Sequence, residues 1–142
     1  MKRYYAFVIV TILFIAFYSC ENKNGEVNSK PKIKLQGLTL NNNKKWIANK
    51  ETHIGMMRID SILKSNTLLN GKVLGNALSK ETSYIIKSCN MKGTAHDQLH
   101  IVLVPLLEEI TQIKETESID KLKQKTTHLK HLVAIYFRYF KT

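Results

Sequence analysis

The sequence predicts an all-α protein, an antiparallel up-and-down four-helix bundle that follows a signal peptide and a polar tether. Two observations predict it: residues 44–142 carry four stretches with apolar side chains at helical spacing, and the links between them are short. At 142 residues and 44% hydrophobic content, the chain has room for one small core. We therefore expect three parts: residues 1–19 as signal peptide, residues 20–43 as tether, and residues 44–142 as the bundle.

The first nineteen residues have the layout of an export signal. Lys2 and Arg3 precede an apolar run of fifteen residues, YYAFVIVTILFIAFY, and the small residue Ser19 then stands directly before Cys20. A basic start, a short apolar run and a small residue at the cleavage point are typical of exported proteins. Fifteen apolar residues are few for a membrane span.

The four residues FYSC resemble the lipobox of bacterial lipoproteins. Ser19 and Cys20 match that pattern, whereas Phe17 stands where Leu is usual and Tyr18 is bulkier than usual. The resemblance implies that Cys20 becomes the first residue of the mature chain and carries acyl chains, each buried methylene contributing about 0.8 kcal/mol to membrane binding. The expected location is the cell envelope, facing the periplasm or the cell surface. An uncleaved signal anchor is the alternative, and it also leaves the domain tethered to the membrane.

The tether is polar and shows no sustained periodicity up to Asn43. We expect it to be a flexible coil, with a short extended piece at KIKLQGLTL, residues 32–40, packing on the domain. The four helices are predicted at about 44–64, 72–90, 95–114 and 118–139. Gly93 separates the second helix from the third, because glycine readily takes the left-handed conformation found beyond helix ends.

The predicted helices carry apolar stripes that indicate their buried sides. The second has Leu74, Leu78, Ile85 and Cys89 at steps of four, seven and four. The third has an expected inward stripe of His96, His100, Leu103, Leu107 and Ile110, with a kink expected at Pro105. The first has Trp46, Ile54, Met57, Ile62 and Leu63, and the last has Ile119, Leu122, Leu129, Val133, Tyr136 and Phe140.

Four side chains with metal-binding chemistry lie within twelve residues, namely Cys89, Met91, His96 and His100. His96 and His100 are four apart, so one helix presents both imidazoles on one face. In an oxidising compartment, and with Cys20 acylated, Cys89 has no disulfide partner in the chain. Thiolate, thioether and imidazole favour copper first and zinc second, and they exclude calcium and magnesium. The spacing matches no standard zinc-finger pattern.

Two other interpretations of this cluster remain open. The Cys, Met and His side chains can be ordinary packing in a cofactor-free structural or protein-interaction module of the envelope. A non-covalent haem, held with help from His53, Met56 or Met57, is a minor alternative. Covalent haem attachment is excluded because the sequence has no CxxCH motif.

The composition argues against two function classes. The formal net charge is +11, but an exported basic chain meets anionic lipid and polysaccharide, and no alternating aromatic and basic stripe indicates a nucleic-acid partner. We also expect no enzyme. The sequence has no Gly-rich phosphate loop, and Asp97 cannot orient His96 as a catalytic base, because it directly follows His96 and so points away from it round the helix. The expected partners are the membrane, through the lipid anchor, and a protein of the envelope.

The segment IIKSCNMKGTAHDQLHIVLVPLLEEI resembles a group of small uncharacterised helical lipoproteins that share a C-x-M-x-G-x-x-H-x-x-L-H core. The matching residues are Cys89, Met91, Gly93, His96, Leu99 and His100. The resemblance implies that the motif acts as a unit within a helical lipoprotein. It implies no reaction.

Overall fold

The computed structural model describes residues 33–65 and 70–142 of the chain. The elements are β1 (Trp46–Ile47), α1 (Lys50–Ser65), α2 (Gly71–Ser88), α3 (Gly93–Lys114), α4 (Ile119–Tyr139) and β2 (Phe140–Lys141). The signal peptide, Cys20 and the first part of the tether lie outside the described residues. Within the described ranges, no helix is both long enough and apolar enough to cross a membrane.

The four helices form the predicted up-and-down bundle. Each helix packs against the next one in sequence, and α4 returns to pack against α1, which closes the ring. Short links connect α2 to α3 and α3 to α4, so these neighbours are antiparallel. The core is made of aliphatic side chains from all four helices, and the least exposed of them are Ile59, Leu63, Leu74, Leu78, Ile85, Val102, Leu106, Ile113, Leu129, Leu132 and Val133.

The predicted stripes of α2 and α4 are largely confirmed. Leu74, Leu78 and Ile85 of α2 are fully buried, and Cys89 is half-buried at the helix end. In α4 the buried residues include Leu122, Leu129, Val133 and Tyr136, with Phe140 just beyond the helix. Ile119 is instead 47% exposed, because it is the first residue of the helix and lies at the bundle edge.

The predicted inward stripe of α3 is wrong at its histidines. His100 is exposed and His96 is only half-buried, whereas Leu103 and Ile110 are buried as expected. The buried side also carries Leu99, Val102, Leu106 and Ile113, which the predicted stripe omitted. This aliphatic face removes more apolar surface from water than a face with two imidazoles, so the helix turns it toward the core. Pro105 lies inside α3, which continues through it to Lys114.

The first helix begins at Lys50 rather than 44, because the residues before it pair with the end of the chain. Trp46 lies opposite Phe140 and Ile47 opposite Lys141 in a parallel pair of short strands. The Ala48 N–H donates to the Lys141 carbonyl over 2.7 Å. The buried face of α1 consists of Thr52, Gly55, Met56, Ile59 and Leu63. Of the predicted stripe Leu63 is therefore confirmed, whereas Met57 is 48% exposed.

Residues 33–40, which we call the strap, pack on the bundle. Ile33, Leu35 and Leu38 are half-buried against the core. The buried Gln98 side chain of α3 accepts from the Thr39 N–H over 2.7 Å and donates to the Gly37 carbonyl over 3.1 Å. The predicted packing of this stretch on the domain is thus confirmed, and the compact unit begins at Ile33.

Candidate functional site

The Cys–Met–His–His motif occupies the link between α2 and α3 and the first two turns of α3. α2 ends at Ser88, and Cys89 follows in an extended conformation with its N–H bonded to the Ile85 carbonyl. Gly93 has φ +60°, a left-handed conformation that suits glycine, and no atom lies within 4 Å of where a Cβ would be. Gly93 takes the expected conformation, but it starts α3 instead of ending α2.

His96 and His100 come together at the surface of α3. Their ring centroids are 4.4 Å apart and the ring planes meet at 68°. His96 is half-buried and His100 is exposed, so both rings are accessible from solvent. Two imidazoles one turn apart on a helix can bind the same ion, and imidazole suits copper and zinc.

Cys89 and Met91 are turned toward the bundle instead. Both are half-buried and pack against the hydrophobic core. The Cys89 thiol lies near the hydroxyl of Tyr136, which belongs to α4. Among the described residues, no group of three or more Cys, His, Asp and Glu side chains is arranged to hold a metal ion. The structure thus brings together the two histidines of the predicted site, whereas Cys89 and Met91 pack against the core.

The end of α2 is fixed in place just before Cys89. The Asn49 side-chain amide donates to the Ser88 carbonyl over 3.0 Å and to Glu51 Oε2 over 2.8 Å. The Glu51 backbone N–H, and then Asn49, hold the pKa of the Glu51 carboxyl below its ordinary value. These contacts join the start of α1 to the end of α2 at Ser88, the residue before Cys89.

A polar pair that the sequence did not identify lies beside Cys89 at this end of the bundle. His53 Nδ1 of α1 is 3.2 Å from the hydroxyl oxygen of Tyr136, and the His53 ring also meets the edge of Phe137. Tyr136 is fully buried and stacks on Phe140, with ring centroids 5.1 Å apart. Burial raises the pKa of Tyr136, and negative charge on the Cys89 thiol raises it further.

The contact between His53 and Tyr136 is relevant to the haem alternative, in which His53 was one of the candidate ligands. His53 is half-buried and Met56 is 1% exposed, so both are on the inward side of α1, whereas Met57 is 48% exposed. His53 directs Nδ1 to Tyr136, and Met56 is packed in the core.

The helical spacing of Tyr136 predicted its burial, but nothing in the sequence indicated its partner on α1.

A second polar cluster, absent from the sequence analysis, joins α3 to α4. The Glu109 side chain is nearly buried, and its Oε1 lies 3.3 Å from His128 Nδ1 and 3.6 Å from Lys125 Nζ. Lys125 also donates to Gln112 Oε1. His128 thus lies beside Glu109, in a cluster separate from the histidine pair of α3.

No protein-family model, no curated protein and no solved structure matches the chain.

Proposed function

We propose that the chain is a membrane-anchored envelope lipoprotein whose helical bundle binds a soft transition metal, copper first and zinc second. His96 and His100 form the primary contact, and Cys89 and Met91 are the further donors. The observation that carries this proposal is the imidazole pair, with ring centroids 4.4 Å apart on a helix surface that solvent can reach. The proposed role is sensing, buffering or delivery of the ion, and the proposal includes no catalytic step.

The membrane attachment rests on the first twenty residues. Lys2 and Arg3, the apolar run and the Ser19–Cys20 pair support export followed by acylation of Cys20. The domain would then face the periplasm or the cell surface. In that oxidising location a free thiol such as Cys89 is unusual, which supports a role for it in binding.

The four proposed ligands divide into two pairs that are expected to contribute differently to metal binding. The histidines are already neighbours, so they lose little freedom when they bind an ion. Cys89 and Met91 are packed against the core and lie only one link away, so they can join only if residues 89–92 rearrange. The chain therefore supports a two-imidazole contact that copper(I), which favours thiolate and thioether, would extend to Cys89 and Met91.

The test is thermal unfolding of the full chain in a neutral detergent with zinc, copper(II), or copper(I) held reduced. A ligand that binds only the folded state stabilises it by about 2.7 kcal/mol at a concentration of 100 times Kd. The melting temperature should rise for the wild type and for His131→Ala, and should not rise for His100→Ala. His131 is the matched control because it is a half-buried histidine on α4.

The second candidate function is a cofactor-free structural or protein-interaction module of the envelope. The observation that favours it is the packing of Cys89 and Met91 against the core, together with the lack of a three-residue ligand group among the described residues. Under this alternative, no metal raises the melting temperature of the wild type. Cys89→Ser would then cost about 1 to 3 kcal/mol of stability and change nothing else.

A further inference from the structure

A groove lies where α4 closes the ring against α1, on a part of the molecule that the metal proposal does not use. It has a volume of about 460 Å³ and is lined by Asp60, Lys64, Lys130, Ala134, Phe137 and Arg138. Phe137 is half-buried and Ala134 is exposed, so the groove has an apolar wall. Its remaining lining residues are charged.

The charges of the groove are unbalanced. Lys64 Nζ lies 2.6 Å from Asp60 Oδ2, and this pair neutralises the single acid of the lining. Among the described residues, neither Lys130 nor Arg138 forms an ion pair with a carboxylate. Both are exposed, so the groove presents two uncompensated cations beside an aromatic ring.

The positive charge continues along the whole of α4. After Asp120 the chain has no further acid, and its cations are Lys121, Lys123, Lys125, Lys130, Arg138 and Lys141. Lys123, Lys130 and Arg138 are spaced by seven and eight residues, which places them on one face of the helix, and all three are exposed. This face is a row of three spaced cations, two of which line the groove.

Apolar side chains accompany the cations. Met57 of α1 is 48% exposed, and Ile47, which pairs with Lys141 across the two short strands, is 59% exposed. These two residues are on neighbouring elements, and on α4 itself the exposed cations are accompanied by Ala134 and Phe137 of the groove. Apolar and basic side chains on one helical surface are typical of proteins that lie on a membrane interface. A purely polar polyanion such as a polysaccharide gains nothing from these apolar groups.

We propose that the α1–α4 groove docks on anionic phospholipid, with headgroup phosphate at Lys130 and Arg138 and the apolar glycerol region against Phe137. The choice of lipid rests on charge complementarity and on the proposed acylation of Cys20. The twelve residues from 21 to 32 separate Cys20 from the strap, a span of at most about 40 Å when fully extended. That reach allows the bundle to touch the bilayer, where anionic lipid attracts basic side chains.

The experiment measures the reactivity of individual lysines in the full chain. The protein is held in mixed micelles of a neutral detergent with phosphatidylglycerol or with phosphatidylcholine, in the presence of a metal chelator. An amine-reactive acetylating reagent then labels the lysines, and mass spectrometry gives the rate at each one. Lys64 and Lys130 should react several-fold more slowly with phosphatidylglycerol, and high salt should remove the difference.

Internal and variant controls make the result specific. Lys72 and Lys87 are exposed on α2, across the bundle from α4, and their rates should not change with the lipid. The double variant K130E/R138E should lose the protection of Lys64, whereas K72E/K87E, with the same change in charge, should retain it. Inorganic phosphate and a soluble anionic polysaccharide serve as competitors that carry no apolar group.

Equal labelling in the two lipids would overturn the proposal, as would equal protection of Lys72 and Lys87. Protection of Lys64 and Lys130 by free phosphate or by the polysaccharide, without protection by phosphatidylglycerol, would also overturn it. The micelles hold the chain whether or not Cys20 is acylated, and the chelator removes metal. A negative result here is therefore distinct from failure of the proposed anchor or of the proposed metal site.

Discussion

The imidazoles of His96 and His100 lie one helical turn apart on the exposed start of α3, with their ring centroids 4.4 Å from each other. Cys89, four residues before the start of α3, is instead half-buried and packs against the hydrophobic core. The motif is contiguous in sequence but divided in space, with its nitrogen donors at the surface and its sulfur donors against the core. This division gives the metal proposal a specific requirement, a rearrangement of residues 89–92.

The strap should loosen when Gln98 is changed to Ala. The Gln98 amide makes three hydrogen bonds to the strap, the longest of them 3.5 Å from the Thr39 hydroxyl, and a neutral hydrogen bond contributes about 0.5–1.5 kcal/mol. We expect the amide of Thr39 to exchange with solvent on the order of tenfold faster, since 1.4 kcal/mol corresponds to a factor of ten. Hydrogen exchange measured by mass spectrometry or NMR gives this rate.

The fluorescence of Trp46 provides a second readout of the same change. Its indole N–H donates to the Thr39 carbonyl over 2.7 Å, and it is the single tryptophan of the chain. Gln112→Ala on the same helix is the control, because Gln112 is exposed and bonds only to Lys125 and Thr116 among the described residues. Unchanged exchange at Thr39 in the Gln98 variant would show that the strap is held by its apolar contacts alone.

Stability should fall in alkaline solution because of Tyr136. Burial raises its pKa in the folded protein above the unfolded value of about 10. A raised folded pKa means that the stabilisation is fully present below the unfolded pKa and is lost as the pH rises through the folded pKa. Denaturant unfolding across this range should show the free energy of unfolding decreasing above pH about 10.

The variant Tyr136→Phe removes the titrating hydroxyl and should flatten that decrease. Tyr84→Phe is the comparison, because Tyr84 is a half-buried tyrosine of α2 with Arg58 over its ring. It should keep the decrease shown by the wild type. If the slope with pH is the same in Tyr136→Phe and the wild type, another group causes the alkaline loss.

Gly71→Ala should destabilise the bundle. A Cβ at this position would collide with the carbonyl oxygens of Ile113 and Thr116, which are backbone atoms at the link between α3 and α4. Because backbone cannot move aside cheaply, we expect a loss of about 1 to 3 kcal/mol, measured by denaturant unfolding.

Gly75→Ala, one turn further along α2, is the matched control. The nearest obstacle there is the flexible side chain of Lys114, and alanine favours the helix by about 1 kcal/mol over glycine. Gly75→Ala should therefore cost clearly less than Gly71→Ala. Equal losses would mean that helix α2 is not packed on the α3–α4 link as described.

Much of the architecture could be predicted from the sequence, and the reasons for the failures are physical. The buried faces of α2 and α4 could be predicted because most of their apolar residues fall on one face of each helix. In α3 ten of the 22 residues are apolar and they are not confined to one face, so a stripe through His96 and His100 was as regular as the true one through Leu99 and Leu106. Only packing against α2 and α4 decides between them.

The site was harder to predict than the fold. Helical spacing placed His96 beside His100, because that contact is local. The burial of Cys89 depends on packing against the core, which is built from residues far away in sequence, and the partnership of Tyr136 with His53 is equally non-local. The start of α1 was misjudged for the same reason, since the pairing of β1 with the end of the chain leaves no local pattern.

The central claim is that the chain binds a soft metal ion through the α3 histidines. The most direct measurement is an equilibrium titration with copper(I) and with zinc, in competition with a chromophoric chelator, for the wild type, His96→Ala, His100→Ala, Cys89→Ser and His131→Ala.

We predict one ion per chain, binding that weakens at low pH because the ligands must lose protons, and loss of binding in both α3 variants but not in His131→Ala. Cys89→Ser should weaken the binding of copper(I) more than the binding of zinc. Absence of binding, or binding that is the same in His96→Ala, His100→Ala and the wild type, would contradict the claim and favour a cofactor-free envelope module.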